Sequence, residues 1–358
     1  MNYIKVIINI LFGLVLGVVL SPIAMELAKK LKLIDDPNSS PRKIHKKPTL
    51  CAGGMVLFLG LLIGSITGIP QFDTEIIKII LAGCVVFLTG VLDDHKSISV
   101  FQKFAGQFVG TTVLILLGIH IQVFESALLP IPLSNNLAVF LDLLLTYIWM
   151  IGLSNAFNFV DSMDGLLIQL CQIAILFVGI SAMIFGQSNI AMLMVFLLGI
   201  LIAMSVFNSH PAIYFLGDSG ALFLGFLLAA VSILLRPVNL PQASSWFFPI
   251  TFFTVPLFDM GLVVVSRLRH KTKFYKAGTD HTYHRLCRIG LSNYRAIEVM
   301  KLESILWGFL GMVAIYQKPV IANLLFGLFL INFIGSYFYL DSLKNEKKPN
   351  DPTIFYDL

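Results

Sequence analysis

Long apolar runs follow one another along almost the whole chain, and they limit the folds it can adopt. Several approach the ~20 residues that an α-helix needs to cross a bilayer. Hydrophobic residues make up 57% of the chain and charged residues 13%, far from the composition of a soluble domain. The sequence therefore predicts an all-α, polytopic membrane protein with about 10–11 transmembrane helices. The runs lie near residues 4–28, 52–70, 76–92, 104–121, 136–154, 165–186, 189–207, 219–235, 246–266, 304–317 and 319–340.

The first run differs from a secretory signal. Its apolar part is too long, and it ends in lysines without a small-residue cleavage site, so we interpret it as an uncleaved span. One integral membrane domain is expected over residues 1–340, followed by a short polar cytoplasmic tail over residues 341–358. The cysteines have no metal-like spacing and indicate neither a disulfide framework nor a zinc site. They stand at positions 51, 84, 171 and 287.

The loops on one side of the predicted membrane carry most of the positive charge. If the spans alternate in direction, six loops share a side and hold 21 of the 25 Lys and Arg residues. The positive-inside rule makes that side cytoplasmic, with the N-terminus outside and the C-terminus in the cytoplasm. We therefore expect a multi-pass protein of the inner (plasma) membrane. The six loops are 29–51, 93–103, 155–164, 208–218, 267–303 and 341–358.

The acidic and polar motifs all fall on this cytoplasmic side. Because charged groups are costly near the bilayer core, acids at span ends usually mark a functional site or a wet interface. Asp and Asn oxygens suit hard cations, and Mg²⁺ commonly takes one or two carboxylates together with substrate phosphates. Phosphate chemistry at a cytoplasmic site is therefore the expected function class. The motifs are Asp93-Asp94, NAFNFVDSMDG at 155–165, FLGDSG with Asp218, and GTDHTYHRL with Asp280, His281 and His284.

The segment NAFNFVDSMDG places Asn155, Asn158, Asp161 and Asp164 at a strict spacing of three. On a helix, residues three apart share a face, which predicts that Asn158 meets Asp161 and that Asp161 meets Asp164. Because this row drifts around an ideal helix, the inner members are the better ligand candidates and Asn155 is a supporting residue. A solvated loop with Asx turns explains the same composition, so the residues leave both interpretations open.

The other motifs also have ordinary structural explanations. Asp218 can cap the following helix, and the Asp93-Asp94 pair can form a solvated helix end. The histidines are either loop residues or groups that donate to phosphate or move a proton. The basic segment 29–47 either signals topology or binds anionic headgroups or a nucleotide diphosphate.

Taken in order, the motifs resemble the polyprenyl-phosphate N-acetylhexosamine-1-phosphate transferases, a membrane family with WecA-type and MraY-type members. The resemblance covers nearly the whole chain. It implies transfer of a sugar 1-phosphate from a UDP-sugar to polyprenyl (undecaprenyl) phosphate with release of UMP, an initiating step of cell-envelope polysaccharide synthesis. The matching pieces are RKIHKKPTLCAGG at 42–54, GVLDD at 90–94, Lys103 with Gln107, NAFNFVDSMDG, FLGDSG at 215–220, PLFDMGLVVVSRL at 256–268 and DHTYHRL at 280–286.

The resemblance also implies roles for single residues. Asp218, Asp94 and Asp161 would bind Mg²⁺, with Mn²⁺ as a substitute. Which aspartate acts as base, if any does, is left open. A lipid phosphate is already an anionic nucleophile, so direct attack on the sugar-bound phosphorus needs no strong base. The catalytic roles fall on Asp93, Asp94, His281 and His284, and the substrate contacts on His45, Lys47, Lys103, Asn158, Asp161, Asp164 and Arg285.

The histidine segment departs from the family pattern. Many members carry H-x-H-H, whereas here Tyr283 stands at the middle histidine position. Asp280 directly precedes the first histidine instead of lying a few residues ahead of it. Asp259, in the ninth span, is expected to be structural and to pair with Arg267.

The sequence leaves alternatives open for the donor sugar and for the class of function. RKIH and the DH-x-x-HRL ending favour UDP-GlcNAc over the muramoyl-pentapeptide donor of MraY-type enzymes. An ion or lipid transporter predicts acids near mid-span, where only Asp142 and Asp259 lie. A phosphatidyltransferase with a CDP-linked donor would show a DG-x-x-A-R pattern, which is missing after Asp164. The expected partners are the UDP-sugar, the polyprenyl phosphate and membrane lipids, without nucleic acid and with a homodimer left open.

Overall fold

A computed structural model describes residues 3–37, 47–126, 133–236, 247–272, 278, 280–315 and 317–342. In this part of the chain thirteen α-helices and three very short β-strands form. The helices are α1 (Tyr3–Lys30), α2 (Gly53–Thr67), α3 (Thr74–His95), α4 (Val100–Leu116), α5 (Asn135–Val160), α6 (Leu166–Ile184), α7 (Ser188–Asn208), α8 (Gly217–Leu234), α9 (Phe248–Phe252), α10 (Thr254–Arg269), α11 (Thr282–Arg288), α12 (Asn293–Ile315) and α13 (Pro319–Ser342), and the strands are β1 (Ile34–Asp35), β2 (Thr49–Cys51) and β3 (Tyr214–Phe215).

The prediction of an all-α, polytopic membrane protein is confirmed. Every predicted apolar run coincides with one of these helices, the ninth with α9 and α10 together. Among the described residues, seven helices are long and apolar enough to cross a membrane, and two shorter helices, α2 and α4, are also apolar. The spanning candidates are α1, α3, α5, α6, α7, α8 and residues 320–342 of α13.

Local sequence explains several helix ends. Asp73 caps α3 by accepting a hydrogen bond from the Ile76 amide at 3.0 Å. Ser99 and Gln102 form a capping box at the start of α4. The helix α2 ends at Gly68, whose φ of 67° is accessible to glycine with little strain. Polar capping residues and a glycine therefore mark where these helices begin and end in an otherwise apolar sequence.

The chain divides into two compact units, Met1–Pro249 and Ile250–Leu358. In the first unit, α8 lies at the centre and packs against α2, α3 and α5, while α1 and α6 pack against α7. Nearly every residue of α8 is buried. Phe58 of α2 stacks on Phe87 of α3 at 4.2 Å between ring centroids, and both rings meet the edge or face of Phe223 of α8. These contacts align the three helices.

A small sheet in the first unit holds the starts of α2 and α8 together. Strand β2 pairs antiparallel with β1 and parallel with β3, with Leu50 opposite Tyr214. Each of β2 and β3 ends two residues before a helix begins. The Gly54 amide then donates to the Leu216 carbonyl at 3.0 Å, so that the two helix starts lie side by side.

Asp142, one of the two deep acids, has a structural function. It is fully buried in α5, and its carboxylate accepts hydrogen bonds from the amides of Val123, Phe124 and Glu125 at 2.9, 2.9 and 3.0 Å. Thr146, one turn later, accepts from the Ile121 amide at 2.9 Å. The acid thus ties the segment after α4 to α5, because buried backbone amides need acceptors.

The second unit contains α10 to α13. The expectation of one long loop over residues 267–303 is wrong, because α10 continues to Arg269, α11 forms within the segment, and α12 begins at Asn293. Of the polar tail predicted over residues 341–358, only Asp341 and Ser342 are described; they end α13, and Asp341 is buried. The single domain predicted over residues 1–340 stays a prediction.

Candidate functional site

Asp218 forms the centre of a polar cluster in the first unit. It lies in the first turn of α8, and its Oδ1 accepts a hydrogen bond from Asn158 Nδ2 of α5 at 2.6 Å. Its Oδ2 pairs with the ammonium group of Lys103 on α4. The same ammonium group lies 2.5 Å from Asp93 Oδ2 on α3. Four helices therefore contribute to one cluster, which contains Asp93, Lys103, Asn158 and Asp218.

The neighbouring aspartates of α3 take different partners. Asp93 Oδ1 accepts from the Ile98 amide at 2.8 Å, while its Oδ2 faces Lys103. Asp94 accepts from the amides of Asp218 and Ser219 at 2.8 and 3.1 Å. Asp94 thus satisfies the first amides of α8 from another helix and complements the positive end of its dipole. The capping role considered for Asp218 therefore belongs to Asp94, which contacts the amide of Asp218.

Glycines bring these backbones together. A Cβ atom at Gly90 of α3 would lie 2.3 Å from the Cα atom of Ser219, and one at Gly54 of α2 would lie 2.5 Å from the Gly220 amide nitrogen. Gly217 has a φ of +77°, and a Cβ atom there would lie 2.7 Å from Asp94 Oδ2. The glycines of CAGG, GVLDD and LGDSG thus allow the helices to approach closely enough for the carboxylates to meet.

The segment NAFNFVDSMDG is helical only in its first half. The helix α5 ends at Val160, so the predicted helical contact between Asp161 and Asp164 does not form, and residues 161–165 make a turn. Asn155 exchanges hydrogen bonds with Gln107 of α4, with Asn155 Nδ2 donating at 2.6 Å. Both interpretations of the segment were therefore half right, and Asn155 has the predicted supporting role.

The turn is held by Asn208, the last residue of α7, and by residues that follow that helix. Asp164 Oδ2 lies 2.9 Å from His210 Nδ1 and accepts from the Ala212 amide at 3.3 Å. The Gly165 amide donates to Asn208 Oδ1 at 3.1 Å. Asn208 and His210 were missed in the sequence, although the segment FNSHP at 207–211, where α7 ends, could have indicated them.

Asp161 remains without a hydrogen-bond donor among the described residues, although it is only partly exposed. Burial raises the pKa of its carboxyl group well above the usual range, and the negative charges of Asp218, Asp94 and Asp164 raise it further. The cluster has more carboxyl groups than ammonium groups, since Lys103 is the ammonium group that faces Asp93 and Asp218 and its two ion pairs do not include Asp161.

This donor set fits a magnesium ion completed by a substrate. In the described ranges, no three Asp, Glu, His or Cys side chains are arranged to hold a metal by themselves. Mg²⁺ usually takes only one or two protein carboxylates and completes its shell with phosphate and water oxygens. The unpaired carboxylate of Asp161, beside the partly exposed carboxylate of Asp218, suits that coordination.

The predicted histidine site lies in the second unit. His281 Nδ1 lies 2.8 Å from Asp259 Oδ2, and the Thr282 amide donates to Asp259 Oδ1 at 2.6 Å. The expected pair of Asp259 with Arg267 is wrong, because Arg267 binds Asp280 through two hydrogen bonds of 2.9 and 2.7 Å. Asp280 thereby gains a structural role, because a bidentate guanidinium–carboxylate pair fixes the chain before α11.

Two further members of this segment are buried. His284 Nε2 lies 2.8 Å from the Tyr283 hydroxyl group, and burial together with His281 lowers the pKa of His284 to about 3. Arg285 is fully buried and donates to the carbonyls of Asp280 and Leu340 and to Asp341. These contacts hold α11 against α13.

The two basic candidates near the start of the chain are less defined. Lys47 is exposed, just before β2, and its carbonyl accepts from the Thr49 hydroxyl group at 3.1 Å. His45 lies outside the described residues.

Comparison with known proteins identifies relatives along most of the chain. The sequence model of glycosyl transferase family 4 matches residues 76–236, which include the whole aspartate cluster. A probable undecaprenyl-phosphate N-acetylglucosaminyl 1-phosphate transferase of Bacillus subtilis (strain 168) is 26% identical over 346 residues, or 96% of this chain and 94% of that protein.

Two further relatives differ in the substrate that their names specify. A decaprenyl-phosphate N-acetylglucosaminephosphotransferase of Mycobacterium tuberculosis (strain CDC 1551 / Oshkosh) is 29% identical over 329 residues, 83% of this chain and 79% of that protein. A phospho-N-acetylmuramoyl-pentapeptide-transferase of Staphylococcus aureus (strain JH9) is 26% identical over 324 residues, 84% of this chain and 97% of that protein.

Proposed function

We propose that this chain, which matches the sequence model of glycosyl transferase family 4 over residues 76–236, transfers a sugar 1-phosphate from a UDP-sugar to a polyprenyl phosphate in the membrane. The preferred donor is UDP-GlcNAc and the preferred acceptor undecaprenyl phosphate. The products are UMP and a polyprenyl diphosphate sugar, the lipid-linked start of a cell-envelope polysaccharide such as lipopolysaccharide or teichoic acid.

One observation supports this function above the others: four aspartates and one lysine from separate segments gather at the helix ends of the first unit. Phosphoryl transfer asks a protein mainly to position its substrates and to neutralise charge. A transporter pathway would instead require acids near mid-span, yet Asp142 is occupied by three backbone amides. The cluster therefore favours an enzyme over a transporter.

In the proposed reaction, an oxygen of the lipid phosphate attacks the sugar-bound phosphorus of the donor. The new bond joins this oxygen to that phosphorus, and the bond to the bridging oxygen breaks, so that UMP leaves with the electron pair. The acceptor is already anionic, so no strong base is needed, and an aspartate need only accept a residual proton.

The residues of the cluster have different proposed roles in this reaction. Lys103 is placed to move from the carboxylates to the phosphate oxygens of a bound donor, and Asn158 orients Asp218 through its 2.6 Å hydrogen bond. Asp94 keeps the first turn of α8 in place. Asp218 and Asp161 would hold Mg²⁺, or Mn²⁺ in its place, which neutralises diphosphate charge when bound. Asp94, the third ligand that the resemblance implies, already accepts the Asp218 and Ser219 amides through its two oxygens.

The residues outside the cluster have proposed roles that follow from the resemblance. His281, ordered by Asp259, and His284 would donate to the diphosphate. His45 and Lys47 would contact the donor. Arg285 could reach a substrate only after losing its bonds to Asp341 and Leu340, so we propose that it orders α11 instead. We propose, on the positive-inside count, that the site lies at the cytoplasmic face of the inner membrane.

The test uses the purified full chain in detergent with radiolabelled UDP-sugars and undecaprenyl phosphate. We expect a lipid-linked product and UMP from UDP-GlcNAc, lost on chelation of divalent cations. Asp218→Asn should abolish transfer and remain folded, whereas Asp73→Asn, which alters an acid at the opposite end of α3, should keep the rate. If only the muramoyl-pentapeptide nucleotide gives a product, the alternative activity, that of a phospho-N-acetylmuramoyl-pentapeptide-transferase, is favoured. If no UDP-sugar gives a product, the proposal is refuted.

A further inference from the structure

Asn208, the last residue of α7, joins two segments of the candidate site. Its side chain is 3% exposed. Its Oδ1 accepts a hydrogen bond from the Gly165 amide at 3.1 Å, and its Nδ2 donates to the Tyr214 carbonyl at 3.0 Å. Both hydrogen bonds are buried, so losing either one removes a partner from a buried backbone group.

Each of the two segments leads to one carboxylate of the cluster. Gly165 closes the turn that begins at Asp161, and Tyr214 lies in β3, four residues before Asp218. Tyr214 is itself fixed, because it is fully buried and its hydroxyl group lies 3.1 Å from Ser21 Oγ on α1. The Asn208 amide group thus joins a firmly held strand to the turn that carries Asp161.

A second contact between the same segments is weaker. The pair of His210 with Asp164 lies at 2.9 Å, but the imidazole is 69% exposed, and exposed ion pairs contribute little. The Ala212 amide adds a hydrogen bond of 3.3 Å to Asp164. The buried Asn208 link is therefore the stronger of these two side-chain contacts between the turn and the end of α7.

We propose that Asn208 is a positioning residue that sets the placement of Asp161 relative to Asp218 for the transfer reaction. It touches neither carboxylate and acts through Gly165 and Tyr214. Only a side chain with both a donor and an acceptor serves both backbone groups, and an amide of this length does so. The inference rests on the proposed function, because it assumes that Asp161 and Asp218 together hold the divalent cation and the transferred phosphate.

The test compares Asn208→Ala and Asn208→Asp with a matched control. Asp keeps the size of the side chain and the acceptor for Gly165 but loses the donor to Tyr214. The control is Gln172→Ala, which removes a 2.8 Å hydrogen bond from Gln172 to Ser205 between α6 and α7 and does not contact the turn. The readouts are kcat and KM for UDP-GlcNAc, thermal unfolding in detergent, and Mn²⁺ binding by electron paramagnetic resonance.

We expect Asn208→Ala and Asn208→Asp to lower kcat about 10- to 100-fold and to weaken Mn²⁺ binding about 10-fold, as loss of outer-shell partners does. KM for UDP-GlcNAc should change little, and Gln172→Ala should match the wild type in kcat and Mn²⁺ affinity. If Asn208→Ala does not fold, the kcat and Mn²⁺ affinity of Asn208→Asp decide whether Asn208 has the positioning role.

The opposite results separate the two proposals. Variants of Asn208 that match Gln172→Ala in kcat and Mn²⁺ affinity overturn the positioning role. A wild-type chain that binds Mn²⁺ but transfers no sugar phosphate overturns the proposed function, and the Mn²⁺ titration then decides the role of Asn208 alone. A wild-type chain that neither binds Mn²⁺ nor transfers overturns both.

Discussion

Gly90→Ala tests whether close packing of α3 against α8 is a condition for activity. A Cβ atom at this position would lie 2.3 Å from Ser219 Cα, 2.5 Å from the Ser219 nitrogen and 2.8 Å from the Asp218 carbonyl carbon. All three atoms belong to the backbone, so no side chain can turn away. To reach an ordinary contact of 3.4 Å, the two helices must separate by roughly 1 Å.

That separation acts directly on the site, because Gly90 lies one helical turn before Asp94. The hydrogen bonds from Asp94 to the Asp218 and Ser219 amides, now 2.8 and 3.1 Å, would lengthen beyond useful range. A misplacement of about 1 Å at a reacting site can cost about 100-fold in rate. Overpacking of this kind also costs about 1–3 kcal/mol of stability.

The assay measures GlcNAc-1-phosphate transfer and thermal unfolding in detergent. The matched control is Gly152→Ala in α5, where a new Cβ atom meets no heavy atom within 4 Å. Gly152→Ala should keep the wild-type rate and unfolding temperature. Equal behaviour of the two variants would refute the reasoning, because it would show that α3 and α8 tolerate the separation.

Three further predictions concern other parts of the chain. Asp142→Asn removes a buried acceptor and should cost about 1–3 kcal/mol, measured by thermal unfolding; the rate per folded molecule should persist, because Asp142 lies about 24 Å along α5 from Asn158. The pKa of His284 is lowered from 6.5 to about 3 in the folded chain, so the unfolded chain binds the extra proton and stability should fall as the pH drops from about 6.5 towards 3. Unfolding temperatures at pH 7 and pH 5 should therefore differ less in His284→Gln than in the wild type. Cysteine introduced at Lys96 should react with an impermeant reagent only in permeabilised cells, and cysteine at Ser188 should react from outside; the reverse pattern would overturn the topology.

Much of the fold could be predicted because membrane helices depend on local sequence. A helix satisfies its backbone hydrogen bonds internally, so each apolar run of sufficient length marks one element in a bilayer. All the predicted runs therefore coincide with helices, and capping residues such as Ser99 and Asp73 mark their starts. The segment after α10 was misread as a loop because its helices are short or polar.

The sequence indicated which residues belong to the candidate site but not which residues they contact. Asp93, Asp94, Asn158 and Asp218 could be named from motifs, because acids are rare in so apolar a chain. The partners of the charged residues could not be predicted from the sequence. Asp94 accepts hydrogen bonds from amides of α8, Asp259 binds His281, and Arg267 binds Asp280. A charged side chain has several acceptable partners within reach in sequence, and only the packing of distant elements selects one.

The sequence by itself determined the membrane-spanning helical class and the gathering of acidic motifs at one set of helix ends, because hydropathy and charge act through the solvent and do not depend on neighbours in space. The tertiary structure alone decided that α5 stops at Val160, that Lys103 lies between Asp93 and Asp218, and that Asn208 links the turn of Asp161 to β3. The Lys103–Asp218 and Gly165–Asn208 contacts join residues 115 and 43 positions apart, and the close approach of α3 to α8 depends on glycines that let backbones touch. Such approaches follow from how whole helices pack, which no local pattern encodes.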